Sequence, residues 1–566
     1  MGYSSHAVER QPPVLPSDEI DLYVRTYNSL LRSSGRVRVR AFEEAHAYCN
    51  SSLHPRALSV EPDVSAFAYA AARLPIEMPK VRLIVLGQSH ELFEAARFDV
   101  RSWPVVRTRG RRRPLRFDGK STLGAFIASV SDIDDLVPIV TAYQIEWNKM
   151  HARLRNARSL GDADVREMLG VDEAGLMMLK DAFGAYDGGI AAVAAREIDL
   201  DVQMLASSYS QFQRAAQRWW SGVEPQYVRK DHPRRPPVYF VSSNTHAIAN
   251  LVGGYANTHQ KEITDFIAKT NPEGLAPELA EALEKNDEHK IAGLLHYLLR
   301  PYIHADASGE RMRQVRAFEA ESGLVHLSGP GHVDVDVQLI ELSKIDPAHV
   351  DPRLLVPGLE RITRSEALIV NIDYPLGMAA YHLISRLGQG VGELRGVYVM
   401  GKAATLNGRV GDVMLSSNVY DEHTRNTFLF ENAFGSKDIE PHLKHGNVFD
   451  NQAALTVRSA FLQNRNYMNA FYRDGYTVLE MEAGPFLAGV YELVNPTRVR
   501  SNEIVHLSGR TNFEVGLLHY ASDTPYSRRQ ELLSKSLSYF GVDSTYACAI
   551  AIVRRIFERE IARVTR

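Results

Sequence analysis

Apolar side chains in the first third of the chain recur mostly at helical spacing. Leucines and tyrosines lie three to four positions apart through residues 21–72, and this period is typical of an amphipathic helix. Residues 81–87 form instead a mostly apolar run closed by glycine, which predicts a buried strand. Helical spacing returns over residues 122–157 and through most of 160–230. We therefore expect a helix-rich first region that contains at least one strand.

A second apolar run, residues 238–241, predicts another strand that leads into a helix. A charged segment near 272–290 predicts a solvated helix, and the chain around 322–335 then becomes rich in Gly, Pro and His. Beyond that point strands and helices alternate, as in a parallel or mixed sheet covered by helices. The predicted division is a flexible tail over 1–18, a helix-rich α/β region over 19–325 and an α/β domain over 326–566.

Composition and charge narrow the functional classes. The 566 residues are 45% hydrophobic and carry a net charge of −3, which excludes a generally basic nucleic-acid binder. No apolar stretch approaches about 18 residues and the first residues contain no apolar run, so we expect neither a membrane span nor a secretory signal. Two cysteines, Cys49 and Cys548, exclude a disulfide scaffold and cysteine-based metal sites. These features favour a cytoplasmic protein without nucleic-acid or membrane partners.

Four short segments in the last 200 residues combine apolar strands with polar or small residues at their ends. Each contains a run typical of a strand, followed by residues that are able to bind a ligand. The segments are residues 368–377, 397–415, 477–484 and 519–525. Their candidate site residues are Asp373; Gly401, Lys402 and Ala403; Glu480, Met481 and Glu482; and Ser522 and Asp523.

In this order the four segments resemble the nucleoside phosphorylase and nucleosidase superfamily, and most closely its AMP nucleosidase branch. The resemblance implies that residues 326–566 form a three-layer α/β/α domain with a mixed central sheet. It also implies cleavage of the N-glycosidic bond of a purine nucleotide or nucleoside, with no cofactor and no metal, in a homo-oligomer. Ala403-Ala404 departs from the family pattern, which has a second Gly-Gly at this point.

The resemblance assigns a role to each candidate residue. Asp523 would protonate or hydrogen-bond the departing purine, while Glu482 would accept hydrogen bonds from both ribose hydroxyls, with Met481 packed on the sugar. Lys402 would hold a phosphate at a turn where Gly401 lets the main chain approach the ligand. The remaining expected contacts are Glu480, Ala403, Ser522, Phe461 stacked on the base, and Asp373 as a candidate to activate water.

The nucleophile and the occurrence of turnover remain open at this point. Val399 stands where related phosphorylases have an arginine two residues before the strand-end glycine, which favours hydrolysis over phosphorolysis. Lys402 could take over part of that arginine's task in a phosphate-dependent purine nucleoside phosphorylase. The Ala403-Ala404 departure also leaves open a nucleotide-sensing protein without catalysis.

Several charged residues outside the four segments have a structural and a functional interpretation. The arginine-rich run 107–113 is a solvated loop, a phosphate or nucleotide effector site or, least favoured, a nucleic-acid contact, because no aromatic residues are interspersed. Helix capping or turn formation is favoured over ligand or cation binding at the other positions. These are Asp132, Asp134 and Asp135; Asn244 and His246, which follow a strand; and Asp412.

Overall fold

The structure is a computed structural model that describes residues 17–110, 114–184, 188–205, 209–228, 235–495, 497–523 and 539–565. The predicted tail lies almost entirely outside these ranges. The fold is mixed α/β, as the sequence predicts, with one six-stranded and one eleven-stranded sheet in the described part. No helix of the described residues is both long and apolar enough to pass through a bilayer.

The smaller sheet is built by the first 205 residues and has the strand order β1-β6-β2-β5-β4-β3. Its central strands β6, β2 and β5 are parallel, and helices pack around them. The strands are β1 Val37–Arg38, β2 Leu83–Gly87, β3 Val105–Val106, β4 Leu115–Phe117, β5 Thr122–Phe126 and β6 Asp201–Met204. The helices are α1 Ser17–Ser33, α2 Arg40–Tyr48, α3 Val64–Ala72, α4 His90–Ala95, α5 Val130–Leu154, α6 Asp162–Leu169, α7 Glu173–Phe183 and α8 Gly189–Ala195.

The helix predicted from residue 122 begins later, because Thr122–Phe126 is strand β5. This segment pairs with β2, and four of its five residues are buried. The helix α5 starts instead after Ser129, whose side chain accepts a hydrogen bond from the Ser131 N–H. Asp132 completes a capping box by accepting from the Ser129 N–H, so the predicted capping role of Asp132 is confirmed.

The rest of the chain builds the larger sheet and its helices. The helices of this part are α9 Tyr209–Tyr227, α10 Ala247–Gly253, α11 Tyr255–Thr258, α12 Gln260–Thr270, α13 Ala276–Glu284, α14 Glu288–His304, α15 Glu310–Glu321, α16 Met378–Gly390, α17 Ser436–Ile439, α18 Arg465–Arg473, α19 Ala483–Val494 and α20 Tyr539–Thr565. The strands are β7 Pro237–Ser242, β8 Leu324–Leu327, β9 Val337–Glu341, β10 Leu368–Ile372, β11 Glu393–Thr405, β12 Val413–Asp421, β13 Asn426–Leu429, β14 Val448–Thr456, β15 Tyr476–Glu480, β16 Ile504–His506 and β17 Glu514–Asp523.

The order of the larger sheet is β16-β13-β12-β14-β15-β11-β7-β10-β9-β8, with β17 paired to β11 and β12. Strand β7 therefore lies between β10 and β11, parallel to both. Its residues precede position 326, so the sheet includes a strand from the region that the sequence assigns to the N-terminal part. The sheet is mixed, since β9 and β15 run antiparallel to their neighbours β10 and β11.

Helices cover both faces of the larger sheet. On one face, α9, α16 and α19 pack over strand side chains such as Phe240 and Val399. On the other face, α10 and α20 cover Tyr239 and Tyr398, and all four of these strand residues are buried. Burial on both faces explains why strands such as β7 and β10 have nearly continuous apolar sequences.

Candidate functional site

The edge of strand β11 carries a gap at which two other strands end. Strand β7 pairs with β11 only as far as Val399, opposite Ser242, and β15 pairs with the same edge only from Ala404, opposite Leu479. The carboxyl ends of β7 and β15 therefore point towards each other, about 16 Å apart at a rise of about 3.3 Å per residue. Within the described chain, no strand pairs with residues 400–403 on this edge.

The opposite edge of β11 brings the late Ser-Asp segment to the same place. Strand β17 runs parallel to β11 over its whole end, with Ala403 opposite Ala521 and Ala404 opposite Asp523. Ala404 thus has Asp523 on one side and Leu479 on the other. At a strand spacing of about 4.8 Å, the main chains of these two residues lie roughly 10 Å apart. The topology therefore gathers three of the four sequence segments at the end of β11.

Strand β10 supplies the fourth segment. Ile372 lies opposite Ser242, so Asp373 follows at the gap, two strands away from β11. Asp373 is buried, and its carboxylate accepts the Tyr374 N–H at 3.0 Å. The Tyr374 ring reaches across, 3.5 Å from the point that a Cβ atom on Gly401 would occupy. Its hydroxyl lies 3.2 Å from that of Tyr520.

Glu480 is a structural anchor for the start of α19. Its Oε2 accepts the N–H groups of Glu482 and Ala483, each at 2.7 Å, and its Oε1 accepts the Thr456 hydroxyl. The carboxyl group is buried, and burial raises its pKa to about 7 despite these hydrogen bonds. Both oxygens are thus engaged within the protein, and Glu480 positions the main chain of Glu482, while its expected contact with a substrate stays a prediction.

Glu482 occupies the position just before helix α19, held there by its main-chain hydrogen bond to Glu480. It is half-buried, as is Met481. The close approach expected beside Ala483-Gly484 occurs between protein segments: a Cβ atom on Gly484 would lie 2.5 Å from the Asp421 Cβ. Gly484 therefore allows the start of α19 to press against the end of β12.

The turn expected at Gly401 is not there, because β11 continues to Thr405. Pairing with β17 on one edge and with β15 on the other extends the strand past the small residues. Lys402 is exposed, and its pKa is lowered because the surrounding protein displaces water and Arg300 adds positive charge nearby. Ala403 is buried under the α16–α19 face, and the Ser522 hydroxyl lies 3.5 Å from its carbonyl oxygen.

Phe461, which the sequence predicts to stack on a base, packs against aromatic rings of the N-terminal region. It is fully buried in the core of the N-terminal region, with its ring 5.3 Å from Tyr69 and 5.9 Å from His46. The 3₁₀ turn Ala460–Leu462 inserts into that core from the larger sheet. An aromatic ring gains more by filling an apolar core than by facing an open site, so Phe461 joins the two regions of the chain.

His519 is a site residue that sequence reasoning missed. It lies on β17 directly opposite Gly401 and is buried. Burial lowers its pKa to about 4, which keeps the imidazole neutral, and its Nδ1 has no hydrogen-bond partner in the described structure. Only its place two positions before the Ala-Ser-Asp sequence could have drawn attention to it.

Asn244, His246 and Asp412 have the structural roles that the sequence favours. The Asn244 side chain accepts the N–H groups of His246 and Ala247, which begins helix α10 at the end of β7. Asp412 accepts the N–H groups of Arg409 and Asn447 and so closes the turn after β11. The contacts of Asn244, and that of Asp412 with Arg409, are readable from sequence because the partners are close in the chain, whereas Asn447 is 35 residues from Asp412.

A serine, a histidine and an aspartate join the N-terminal region to the site. The Ser131 hydroxyl lies 3.1 Å from His423 Nε2, and His423 Nδ1 lies 2.8 Å from Asp421. Ser131 is fully buried, accepts the Met378 N–H, and lies 2.3 Å from the point that a Cβ on Gly377 would occupy. The contacts of this hydroxyl with Met378 and His423 lock helix α5 to the part of the chain that builds the larger sheet.

One side chain of the arginine-rich run, that of Arg109, makes contacts in the described structure, and Arg111–Arg113 lie outside the described residues. Arg109 pairs with Asp181 at 3.3 Å and donates to the Ala182 carbonyl. Among the described residues, no group of three or more His, Cys, Asp or Glu side chains is arranged to hold a metal ion.

Comparison with protein-family models finds one match, and it spans residues 39–558. The chain belongs to DUF6909, a family of unknown function. No curated protein matches this DUF6909 chain.

Solved structures that resemble the DUF6909 fold include three enzymes of nucleoside metabolism. The 5′-methylthioadenosine/S-adenosylhomocysteine nucleosidase of S. pneumoniae is 9% identical and covers 56% of this chain and 97% of its own, with a TM-score of 0.28. Uridine phosphorylase of Vibrio fischeri is 10% identical over 44% and 88%, with a TM-score of 0.29. A methylthioadenosine phosphorylase from an Antarctic soil metagenomic library is 9% identical over 41% and 78%, with a TM-score of 0.27.

Proposed function

We propose that this chain hydrolyses the N-glycosidic bond of a purine nucleotide or nucleoside and releases the free base, as an AMP nucleosidase does. The observation that carries the proposal is the pairing of Ala404 with Asp523 on one side and Leu479 on the other. This register brings the late aspartate and the Glu480–Glu482 segment to one strand end. The four segments that resemble the nucleosidase superfamily therefore share one place in the fold.

The chemistry of this place suits an N-glycosidase. Breaking the bond leaves positive charge on the sugar and negative charge on the base, so an acid is needed near the base and a carboxylate near the sugar. We assign the acid to Asp523 and the sugar contact to Glu482, whose main chain is fixed by Glu480. The open edge of β11 at 400–403 leaves main-chain polar groups for a ligand. His519, neutral and buried, lines the same strand end.

Phosphorolysis is the second candidate, and Lys402 is the observation that favours it. The Lys402 side chain lies near a second cation, Arg300, and also near the carboxylate of Glu273. The two cations outweigh this one carboxylate and would attract an inorganic phosphate nucleophile. The same pair would equally bind the 5′-phosphate of a nucleotide substrate. The products distinguish these two tasks, because hydrolysis yields ribose or ribose 5-phosphate and phosphorolysis yields ribose 1-phosphate.

Product analysis of the full chain tests the proposal. The protein is incubated with AMP, adenosine and inosine, with and without inorganic phosphate, and bases and sugars are separated chromatographically. We expect free base without added phosphate. Base that appears only with phosphate supports the phosphorylase, whereas nucleotide binding without any product in either condition contradicts both and leaves a sensor.

The matched variants for this assay are Asp523→Asn and Asp474→Asn. Loss of a general acid lowers kcat by about 10²- to 10⁴-fold. The exposed Asp474 lies before the starting end of β15, whereas the carboxyl end of that strand reaches the gap, so its variant should be neutral. Full activity of Asp523→Asn would contradict the assignment of Asp523 as the general acid.

The same resemblance leads us to expect a homo-oligomer. Light scattering on the purified protein measures its mass in solution.

A further inference from the structure

The N-terminal region contains a cavity that no part of the proposed function uses. It has a volume of about 500 Å³ and lies at the starting end of strands β2 and β5. Its walls come from the 3₁₀ turn Met78–Lys80, the entry to β2, the turn before β5 and the last residues of helix α8. The lining residues are Pro79, Lys80, Arg82, Lys120, Ser121, Ala192, Ala195 and Arg196.

Four of these eight lining residues are basic and none is acidic. Lys80, Arg82 and Lys120 are exposed, and they form no ion pair with any carboxylate in the described ranges. Arg196 is half-buried and donates to the Pro79 carbonyl, which ties the end of α8 to the opposite wall. The cavity thus concentrates positive charge in one concave place on a chain whose net charge is −3.

The main chain holds these cations side by side. The N–H groups of Arg82 and Leu83 both donate to the Ser121 carbonyl, at 2.8 Å and 3.2 Å, so Arg82 and Lys120 are neighbours across two strands. Glu77 begins the 3₁₀ turn that carries Lys80 and adds one carboxylate near this wall, while two other carboxylates near these strands make contacts of their own. Asp118 accepts the N–H groups of its own turn, and Asp201 pairs with Arg36.

We propose that this cavity binds a small phosphorylated ligand. Like charges gathered in one concavity repel each other, and an anion between them removes that repulsion. Arginine offers a planar fork that fits phosphate oxygens, and lysine adds a point charge. A volume of about 500 Å³ exceeds that of a bare phosphate and falls within the range of small-molecule sites. Ala192 and Ala195 provide an apolar wall for the rest of the ligand.

Calorimetric titration of the full chain with orthophosphate, pyrophosphate and glucose 6-phosphate tests the site, at constant ionic strength set with sodium chloride. We expect saturable binding of at least one phosphorylated probe, weakened by added salt. A preference for glucose 6-phosphate identifies an ester as the ligand class, and a preference for pyrophosphate or orthophosphate identifies an inorganic anion. Absence of saturable binding for all three probes overturns the proposal.

Charge-reversal variants locate the binding. Arg82→Glu and Lys120→Glu should each weaken the best probe at least tenfold, whereas Lys261→Glu, an equal charge change on the exposed face of α12, should leave it unchanged. Arg82→Gln and Lys120→Gln repeat the measurement if a reversal disturbs folding, which circular dichroism monitors. Unchanged binding in the folded Arg82 and Lys120 variants, or equal loss in Lys261→Glu, contradicts the site.

These experiments test the cavity and the proposed nucleosidase site separately, because different results contradict the two proposals. None of the three probes is a nucleoside, and the Asp523→Asn variant should bind them like the wild type. If the chain has no nucleosidase activity but still binds pyrophosphate through Arg82, the proposed function is contradicted and the proposed phosphate-binding cavity is supported.

Discussion

Two glutamates that lie two residues apart, Glu480 and Glu482, have different surroundings. Substitution of one should change stability, and substitution of the other should change kinetics. Glu480 is buried with both oxygens hydrogen-bonded to protein, while Glu482 is half-buried at the start of α19. A group that contacts substrate changes kinetics first, and a group that holds a helix start changes stability first. Kinetics and unfolding together therefore separate the two roles.

The variant Glu482→Gln should keep the fold and lose activity. An amide accepts hydrogen bonds from sugar hydroxyls less well than a carboxylate, so we expect kcat/KM to fall roughly 10- to 100-fold. Steady-state assays with the substrate identified by product analysis measure this. A melting temperature equal to that of the wild type is the control, and an unchanged kcat/KM would contradict the sugar contact.

The variant Glu480→Ala should instead destabilise the protein. Its removal leaves the N–H groups of Glu482 and Ala483 and the Thr456 hydroxyl without their acceptor, which costs about 1–3 kcal/mol. Urea unfolding measures the free energy, with Glu482→Ala for comparison. Equal stability of Glu480→Ala and the wild type would show that the anchor is not needed.

For single residues, the sequence predicts the structural role correctly when the hydrogen-bond partners are near in the chain. Asp132, Asn244 and Asp412 have the capping and turn roles expected of them, because each binds main-chain groups within a few residues or closes its own turn. The surroundings of His519 and the burial of Phe461 depend on segments far away in sequence. Periodicity and local motifs carry no information about such contacts.

Elements depend on pairing partners as well as on their own pattern. The segment Thr122–Phe126 is a strand because β2 and β4 lie beside it, although its apolar spacing is also compatible with helix. Strand β11 runs through Gly401 for the same reason, since β17 and β15 pair with its end. The order of the four segments was readable from sequence, and their convergence at one gap follows only from the register.

The 3₁₀ turn Ala460–Leu462 makes a testable contribution at the element scale. Phe461→Ala empties a fully buried ring position in the N-terminal core and should lower the free energy of unfolding by about 3–5 kcal/mol. Tyr48→Ala, at a side chain that is 60% exposed, is the matched truncation and should cost far less. Similar losses in both variants would contradict the core position of Phe461.

The whole molecule should lose stability on mild acidification. Burial lowers the pKa of His382, His442 and His519 to about 4, so between pH 6.5 and 4 the unfolded chain binds protons that the folded chain excludes. Glu422 and Glu480 oppose this, because their pKa values are raised to about 7 and the folded chain keeps protons that the unfolded chain releases above 4.5. Burial also lowers the pKa of His46 well below its usual value, and it raises the pKa values of Glu43 and Asp134 by smaller amounts. The histidines therefore carry the larger combined shift, so stability falls as pH falls from 6.5.

Two variants check the sign of each contribution by urea unfolding at pH 5, 6 and 7. Glu480→Gln removes a group that stabilises the fold at lower pH, so its stability should fall more steeply than that of the wild type on acidification. His519→Gln removes a group that destabilises the fold at lower pH, so its stability should fall less steeply. Parallel curves for all three proteins would contradict both assignments.

The place of β7 in the larger sheet also governs how this chain is made. On the ribosome, β7 emerges about 126 residues before β10 and about 150 before β11, the two strands between which it lies. Until both have been synthesised, the two edges of β7 lack the strands with which they pair, and pairing across such separations is slow. Nascent chains stopped shortly after residue 326 therefore still expose this strand, and they are natural clients for chaperones.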